Sequence, residues 1–256
     1  MRKTLIALSV GATLASPMLA AADEPALSAN VSIASQYIYR GIAQSGGEPA
    51  VQGGFDYGFS NGAYVGTWGS SISWLGDTGA ATSAGMEWDI YGGYKGSISK
   101  DVGYDVGILT YNYPRKMLNP GFLDPNTVEL YGALSYKWLT AKYSVTTGSL
   151  FGWAKASDPN AKTSGSGYLD LTGTFDMGSG LSLSAHVGHQ SVSGRSSASY
   201  SDYSIGVSKD ISKFGTLGLK VTGTDAKDSC SAGEDYCFAG YEAGKTAAIL
   251  SFSKSF

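Results

Sequence analysis

Residues 247–256 read AAILSFSKSF, a stretch in which apolar and polar side chains alternate up to a final phenylalanine. Successive side chains of a strand point to opposite faces, so Leu250, Phe252 and Phe256 share one face. An aromatic last residue on such a strand is unfavourable when it is exposed to water. The stretch therefore predicts a strand whose apolar face meets an apolar environment, as in a membrane barrel.

The same two-residue period extends along most of the chain, between clusters of turn-forming residues. It predicts twelve strands, each long enough to cross a bilayer as a tilted strand of about 9–11 residues. No segment shows a sustained helical period. The predicted strands span residues 27–40, 49–59, 63–73, 84–94, 101–112, 127–138, 139–150, 166–176, 181–191, 200–210, 214–224 and 245–256.

The connections between the predicted strands are alternately short and long. A barrel with tight turns at one end and long loops at the other predicts this alternation, and in outer-membrane barrels the short turns are periplasmic. A soluble β-sandwich gives no reason for it, although that fold stays open at this point. A long loop around residues 119–121 or 158–159 is the candidate to fold inward and narrow the barrel.

The two faces of the predicted strands differ in polarity. In NTVELYGALSYKW, residues 126–138, Val128, Leu130 and Leu134 lie on one face and Glu129 lies on the other. The apolar sets are too modest in volume to fill a twelve-stranded cylinder, which favours an apolar exterior and a polar lumen. The predicted fold class is therefore all-β, a transmembrane antiparallel up-and-down β-barrel of about twelve strands.

The composition suits such a barrel better than a soluble domain. The chain has 36 glycines and 17 tyrosines, and only 15% of its residues are charged, whereas soluble domains carry about 25%. The net charge is −3, and no basic block suggests a nucleic-acid partner. Aromatic residues cluster near the ends of the predicted strands, as interfacial girdles do.

The first 22 residues have the pattern of a secretory signal peptide. Two basic residues precede a short apolar run, and three alanines before Asp23 fit an A-x-A cleavage site. The apolar run is too short for a membrane helix. We therefore expect residues 1–22 to be removed and residues 23–256 to form one barrel in the outer membrane of a Gram-negative bacterium.

Several segments, taken together, resemble the TorF-type porin family of bacterial outer-membrane barrels. They are SIASQYIYRGIAQSGGEPAVQGGFDYGFSNGAYVGTWGS at residues 32–70, MEWDIYGGYKG at 86–96, DVGYDVGILTYNYP at 101–114, ELYGALSYKW at 129–138 and LSFSKSF at 250–256. The resemblance runs over nearly the full mature length and implies an outer-membrane barrel assigned as a porin.

The last strand also resembles that of bacterial outer-membrane barrels, which is amphipathic and ends in an aromatic residue. This resemblance implies that Phe256 is the signal that the barrel-assembly machinery reads. Lys254 departs from the pattern, because an apolar residue is usual two places before the end. Its amine can extend to the lipid headgroups.

Charged residues on the polar faces are the candidates for lining a pore and setting its selectivity. A charge that faces lipid at mid-strand costs about 2–4 kcal/mol, so parity places these residues inward. They are Arg40, Asp56, Glu87, Asp89, Asp105, Glu129, Lys137, Lys142, Asp170, Asp202 and Lys220. Arg40, Glu87 and Asp89 are the candidates for a constriction. Acidic residues outnumber basic ones in this set, which predicts a weak preference for cations.

These features predict a non-enzymatic porin-like channel for passive diffusion of small hydrophilic solutes or ions. Its expected partners are outer-membrane lipid, the barrel-assembly machinery and the solutes themselves; the oligomeric state stays open. The alternative is a closed barrel, filled by salt bridges, that serves as a structural or adhesion scaffold through its loops. A barrel of twelve strands is intermediate in diameter between filled eight-stranded barrels and open porins, so both interpretations stay open.

Two other residue pairs are candidates for a disulfide and for a catalytic dyad. Cys230 and Cys237 are expected to form a loop disulfide, because export leads to an oxidising compartment. His189 and Ser191 lie two apart on one face of a predicted strand, which resembles the His-x-Ser dyad of outer-membrane phospholipase A. No Asn follows Asn160 to complete that family's triad, so a hydrolase is the less favoured alternative. No motif indicates a metal site or a cofactor.

Overall fold

The computed structural model describes residues 26–114 and 116–256 and shows a closed barrel of twelve antiparallel strands. The predicted signal peptide at residues 1–22 lies outside the described residues. The barrel strands are β1 Ala26–Ala34, β2 Ala50–Gly58, β3 Ala63–Ser71, β4 Met86–Ser97, β5 Val102–Asn112, β6 Thr127–Tyr136, β7 Leu139–Thr146, β8 Gly167–Gly178, β9 Leu181–Ser191, β10 Tyr200–Asp210, β11 Thr216–Thr224 and β12 Ala247–Ser255.

The strands follow one another around the barrel in chain order, and the last strand closes it against the first. In that closing pair Ile33 of β1 lies opposite Phe252 of β12. On its other side β1 pairs with β2, where Leu27 lies opposite Tyr57. Every barrel strand therefore has two hydrogen-bonded neighbours, and closure leaves no free sheet edge. The predicted fold class is confirmed.

The connections alternate in length, as the sequence predicts. Short turns at residues 59–62, 98–101, 137–138, 179–180 and 211–215 lie at one end of the barrel, which we call the turn end. Long connections at residues 35–49, 72–85, 113–126, 147–166, 192–199 and 225–246 lie at the other, which we call the loop end. The first and last strands start and finish at the turn end.

The two faces of the wall have opposite character. Outward side chains are large, apolar and exposed: Leu134 on β6 is 57% exposed and Ile205 on β10 is 56% exposed. Their inward neighbours are polar and buried: Glu129 on β6 is 2% exposed and Asp202 on β10 is 3% exposed. This pattern is the reverse of a soluble barrel, which buries its apolar side.

Apolar packing inside the barrel is concentrated at the loop end. There Tyr37, Leu75 and Leu150, which come from three different connections, are at most 2% exposed. The loop end also holds a short helix, α1, at Trp74–Asp77 and two-stranded pairings within three connections. No helix in the two described ranges is long and apolar enough to cross a membrane.

One connection folds inward, but it is neither of the two that the sequence analysis favours. Pro120 and Gly121 are exposed, as are Asp158 and Pro159, so those loops stay at the surface. Residues 35–49 enter the barrel instead. The first predicted strand, 27–40, was accordingly too long: β1 ends at Ala34, where Ser35 caps the ladder by accepting from the amide of Leu250 and donating to its carbonyl.

Candidate functional site

The inward connection forms a hairpin across the lumen, which we call the lumen hairpin (residues 35–49). Ile38–Tyr39 pairs with Ile42–Ala43 around a two-residue turn made by Arg40 and Gly41. Both turn residues have positive φ, 46° and 78°, as the tightest hairpin turns require. A Cβ at position 41 would lie 2.7 Å from the Cβ of Asp202 on the wall, so only glycine fits where the tip meets β10.

Other connections hold the lumen hairpin from both sides. The amide of Ala43 donates to the carbonyl of Ala243 at 2.8 Å, within the connection 225–246. The amides of Ser73 and Trp74 donate to the carbonyl of Gln44 at 2.9 and 3.1 Å. These backbone contacts fix the hairpin in the barrel mouth, so its tip residue Arg40 has a defined position.

Arg40 makes the central polar contact of the lumen. Its guanidinium donates to both carboxylate oxygens of Glu129 on β6, at 2.9 and 2.8 Å, and to the side-chain oxygen of Gln190 on β9 at 3.0 Å. The side chains of Arg40 and Glu129 are 5% and 2% exposed. A bidentate pair of this kind is both strong and geometrically specific. It joins the hairpin tip to the wall near the loop end of β6 and β9.

Aromatic rings enclose the same guanidinium. Its central carbon lies 4.2 Å from the ring centroid of Tyr168 on β8 and 4.8 Å from that of Tyr39. Cation–π contacts favour a guanidinium in such a position. The hydroxyl of Tyr39 meets that of Tyr111, which also donates to Glu129 at 3.2 Å. Arg40 is therefore held by charge and by ring contacts together.

The acidic pair on β4 lies beside the hairpin. Glu87 accepts from the hydroxyl of Tyr37 at 2.7 Å and from that of Tyr113 at 2.9 Å. Asp89, two residues further along the same face, is 4% exposed, and its Oδ1 has no hydrogen-bond partner among the described residues. Both predicted constriction carboxylates thus face inward beside the lumen hairpin.

Towards the turn end, tyrosines pair with carboxylates that lie two strands away along the wall. The hydroxyl of Tyr64 donates to Asp105 at 2.7 Å, and that of Tyr91 donates to Asp56 at 2.6 Å. The amine of Lys142 lies 4.0 Å from the ring centroid of Tyr131. Hydroxyl-bearing and ionisable side chains therefore line the inner wall between the hairpin and the turn end.

A histidine completes this inner wall. His186 on β9 lies between two carboxylates, with Nε2 2.9 Å from Asp202 and Nδ1 3.5 Å from Asp170. The hydroxyl of Tyr168 donates to the other oxygen of Asp202 at 2.9 Å. Residues of β8, β9 and β10 thus form one hydrogen-bonded network next to Arg40.

Ten of the eleven predicted lumen residues lie on the inner side of the barrel. They are Arg40, Asp56, Glu87, Asp89, Asp105, Glu129, Lys142, Asp170, Asp202 and Lys220. Lys137 is the exception. It occupies the turn between β6 and β7 with φ 53° and is exposed, because the strand whose parity predicted it ends at Tyr136.

Sequence reasoning missed other inward residues. Lys95 lies opposite Asp105 on the neighbouring strand, with its amine 5.3 Å from the ring centroid of Tyr64. Parity from Asp89 along β4 would have found it. His186 was not among the predicted lumen residues; its two carboxylate partners lie on other strands, and the pattern within one strand cannot reveal such contacts.

The inner wall and the hairpin tip carry more carboxyl groups than lysine and arginine side chains. Asp56, Glu87, Asp89, Asp105, Glu129, Asp170 and Asp202 are acidic, against Arg40, Lys95, Lys142 and Lys220, giving seven carboxylates and four cations. Fixed charges in a narrow polar passage determine which ions enter it. The arrangement provides hydrogen-bonding groups and an electrostatic field inside the barrel. Among the described residues, no group of three His, Cys, Asp or Glu side chains could hold a metal ion.

A cavity of about 340 Å³ lies on the loop-end side of the hairpin. Arg40 and Gln190 are among its lining residues, together with side chains from most of the long connections. The lumen hairpin therefore separates this outer cavity from the charged inner wall towards the turn end.

The loop end is tied together by covalent and ionic contacts. Cys230 and Cys237 form a disulfide with an S–S distance of 2.04 Å. Arg195 donates to Asp235 at 2.5 Å and stacks over Trp153 at 4.8 Å. Burial alone would raise the pKa of Asp235, but hydrogen bonds from Arg195 and Ser197, with the charge of Arg195, outweigh it and lower that pKa below its ordinary value.

The predicted His–Ser pair is not assembled as a dyad. His189 and Ser191 are both exposed on the outer face of β9. His189 Nδ1 lies 3.1 Å from the hydroxyl of Ser201 on β10, whereas the Ser191 hydroxyl donates to the carbonyl of Gly167 on β8 at 3.2 Å. Each residue thus has its own partner on a different neighbouring strand, and a nucleophile needs its base within reach.

The terminal residue extends the closing pair at the turn end. The amide of Phe256 donates to the carbonyl of Ala29 at 2.9 Å, and the amide of Ala29 donates back at 3.2 Å. The Phe256 side chain is 71% exposed, with the amine of Lys254 5.3 Å from its ring centroid. The ring is therefore accessible on a strand that closes the barrel.

A protein-family model described as "Bacterial protein of unknown function (Gcw_chp)" matches residues 19–256. This chain belongs to the Gcw_chp family. The match covers the whole barrel together with the last residues of the predicted signal peptide. The resemblance to the TorF-type porin family stays a prediction, since the family match does not test it.

Solved structures share the architecture at very low sequence identity. A KdgM porin matches with a TM-score of 0.54 at 7% identity, covering 90% of this chain and 98% of that one. A NanC porin matches with a TM-score of 0.53 at 9% identity, covering 89% of this chain and 98% of that one. At such identities the likeness establishes the fold alone. A search of curated proteins finds no match.

Proposed function

We propose that this chain is a porin-like channel of the bacterial outer membrane that passes small hydrophilic solutes or ions. One observation carries the proposal: charged side chains line the inside of a closed barrel whose outer face is apolar. An exposed apolar band suits lipid, and a polar interior suits water and solutes. The shared fold with KdgM and NanC porins is consistent with this role.

Several features support the outer membrane as the location. Barrel strands satisfy every ladder hydrogen bond without an edge, which hydrocarbon requires. Tight turns at one end and long connections at the other are typical of outer-membrane barrels. The exposed terminal ring of Phe256 fits the proposed recognition by the barrel-assembly machinery. The signal peptide expected at residues 1–22 would direct export.

The lumen hairpin makes this a narrow channel. Arg40 reaches Glu129 and Gln190 from the hairpin tip, so we expect a solute that enters from the loop end to meet this contact. A passage narrowed by an inward hairpin selects by charge and size more than a wide porin does. The acidic excess of the inner wall supports a weak preference for cations.

The solute class does not follow from the structural relatives. One KdgM structure was solved in complex with disordered oligogalacturonate. The seven carboxylates and four cations of the present lumen would repel such a polyanion, so we do not extend that ligand to this chain. Small cations and uncharged solutes suit this wall better.

A closed, non-conducting scaffold is the second candidate. The observation that favours it is the burial of the Arg40–Glu129 pair, which fastens the hairpin inside the barrel. In that case the long connections would carry the function. A hydrolase has less support, because His189 and Ser191 bond to different partners; Ser191→Ala should leave any lipase activity of the preparation unchanged.

Planar-bilayer recording of the refolded mature chain tests the proposal. Under a salt gradient, a channel gives discrete current steps. A reversal potential whose sign shows that cations pass more readily than anions supports selection by the acidic residues of the lumen. Heat-modifiable mobility on electrophoresis shows that the barrel is folded. A folded barrel that gives no current across a range of voltages would favour the scaffold.

A further inference from the structure

A groove at the loop end, which we call the rim groove, lies between the connection that follows β5 and the one that follows β7. Its volume is about 280 Å³, and Val128, Thr147 and Lys162 are among its lining residues. Val128 is the neighbour of Thr127, which is 1% exposed inside the barrel. Because successive strand residues point to opposite faces, the rim groove opens on the outside of the wall.

The rim groove lies at the border of the apolar outer face. Thr110 of β5 is opposite Val128, and the amide of Thr147 donates to the Val128 carbonyl at 3.0 Å, so threonines flank this row on both sides. The next outward row pairs Ile108 with Leu130, which are 43% and 48% exposed. Such exposed apolar side chains suit the hydrocarbon of a bilayer. A lipid whose acyl chains pack on that row therefore has its headgroup at the rim groove.

The rim groove carries one cation that no carboxylate balances. Lys162 is exposed, and it lies opposite Ala154 in a two-stranded pairing within its connection. Within the described residues its amine has no ion-pair partner. Asp124, the other charged lining residue, is paired with Lys116 at 3.0 Å. The unbalanced charge is therefore that of Lys162, which attracts an anionic group such as a phosphate.

Neutral polar groups lie in the same groove. Asn126 is a lining residue and is exposed. Its Oδ1 accepts from the amide of Tyr113 at 3.0 Å, which leaves Nδ2 to donate to a ligand. The hydroxyl of Thr147 donates to the carbonyl of Val128 at 3.4 Å and keeps an oxygen that can accept. One donor and one acceptor beside the amine suit the hydroxyl groups of a sugar ring.

We propose that the rim groove binds the phosphorylated sugar headgroup of a glycolipid in the outer leaflet. The phosphate accepts from the amine of Lys162, a sugar hydroxyl accepts from Asn126 Nδ2, and the acyl chains pack on the row that contains Leu130. Long loops are extracellular in outer-membrane barrels, so the groove faces the outer leaflet, where Gram-negative bacteria carry phosphorylated glycolipid. The proposal rests on the outer-membrane location proposed above, and it does not require that the barrel conducts.

The test is native mass spectrometry of the refolded full barrel in zwitterionic micelles, titrated with bisphosphorylated lipid A. The matched lipids are dephosphorylated lipid A, which lacks the charge, and phosphatidylglycerol, which is anionic but lacks the sugar. Glucosamine 1-phosphate supplies the sugar and the phosphate without acyl chains. The variant Lys162→Gln removes the amine, and Lys213→Gln is the same change in an exposed lysine at the turn end. Heat-modifiable mobility verifies that each variant is folded.

We expect bisphosphorylated lipid A to bind more tightly than the other three compounds. Lys162→Gln should weaken its binding by about tenfold, as the loss of one hydrogen bond to a charged group does, and Lys213→Gln should not change it. Equal binding of the two forms of lipid A, or binding of phosphatidylglycerol at least as tight, would overturn the proposal. So would equal effects of the two variants. Equally tight binding of glucosamine 1-phosphate would assign the groove to a soluble sugar phosphate instead.

The comparison of the lipids on the unaltered chain decides the matter even if Lys162→Gln fails to fold. Failure of this proposal is also distinct from failure of the channel. A barrel that conducts without preferring phosphorylated glycolipid contradicts the glycolipid site alone. A folded barrel that binds this lipid through Lys162 and gives no current contradicts the channel alone.

Discussion

Arg40 donates to both carboxylate oxygens of Glu129, at 2.9 and 2.8 Å, from a hairpin that enters the barrel between β1 and β2. Glu129 belongs to β6, several strands away around the wall. The pair therefore fastens the hairpin tip to a part of the wall that is distant along the barrel circumference. In the proposed channel, we therefore expect this contact to govern conductance.

The pair should also matter for stability. Arg40→Met leaves Glu129 buried without its partner, and breaking a buried pair in this way costs about 3–5 kcal/mol. The double variant Arg40→Met, Glu129→Met replaces both charges with apolar side chains and should recover much of that loss. The temperature at which heat-modifiable mobility is lost measures both effects. Equal destabilisation in the single and double variants would show that the pairing itself is unimportant.

The carboxylates beside the hairpin should set ion preference. Glu87→Gln and Asp89→Asn together replace two carboxyl groups beside the hairpin with amides and keep the shapes of the side chains. We expect the reversal potential under a salt gradient to move away from cation selectivity. Asp101→Asn, an exposed residue in a turn at the other end, is the control and should leave it unchanged. An identical shift in the control would mean that overall charge, not lumen charge, is responsible.

The contact between Arg195 and Asp235 should depend on pH in one direction. Arg195 and Ser197 lower the pKa of Asp235 despite its burial. A carboxyl with a depressed folded-state pKa contributes stability above its ordinary value of about 3.9, and that contribution is lost as pH falls through the lowered value. Because Arg195 stacks on Trp153, tryptophan fluorescence should change in that acidic range.

In Asp235→Asn the acidic transition should be absent, since no charge is left to titrate there. Asp158→Asn, in the neighbouring exposed connection, is the matched control and should keep the transition. A transition of equal size in Asp235→Asn would assign the fluorescence change to another group.

The terminal ring should matter for assembly in cells and little for the folded barrel. Phe256→Ala removes an exposed ring and leaves the backbone pair with Ala29 in place. We expect less folded barrel in the outer membrane but normal refolding in detergent. Phe214→Ala, another exposed ring at the turn end, serves as the control. Equal losses from both variants in cells would argue against a specific assembly signal.

Most of the barrel wall could be predicted from the sequence. The predicted strands 181–191 and 200–210 agree with the observed strands residue for residue. The two-residue alternation was sufficient to locate these strands, because an apolar outer face and a polar inner face require opposite polarity in successive side chains. The same alternation placed Glu129 and Asp202 on the inner face, where they are buried.

The lumen hairpin was not predicted, because alternation alone does not distinguish a strand from a hairpin. Ile38 and Ile42 flank Arg40–Gly41 in a pattern that also extends β1 by six residues. A two-residue turn that contains glycine was the available signal. Lys137 was misplaced for a related reason, since parity was carried past the end of β6 into a turn. The partners of Arg40 come from distant strands, and no local pattern specifies them.

Single-channel recording of Arg40→Ala beside the unaltered chain tests the central claim most directly. Both proteins must first show heat-modifiable mobility, so that only folded barrels are compared. We predict small, discrete steps for the unaltered chain and clearly larger steps for Arg40→Ala, because the tip of the hairpin is then released from Glu129. Absence of current from both folded proteins would contradict the channel and leave the barrel as a closed scaffold.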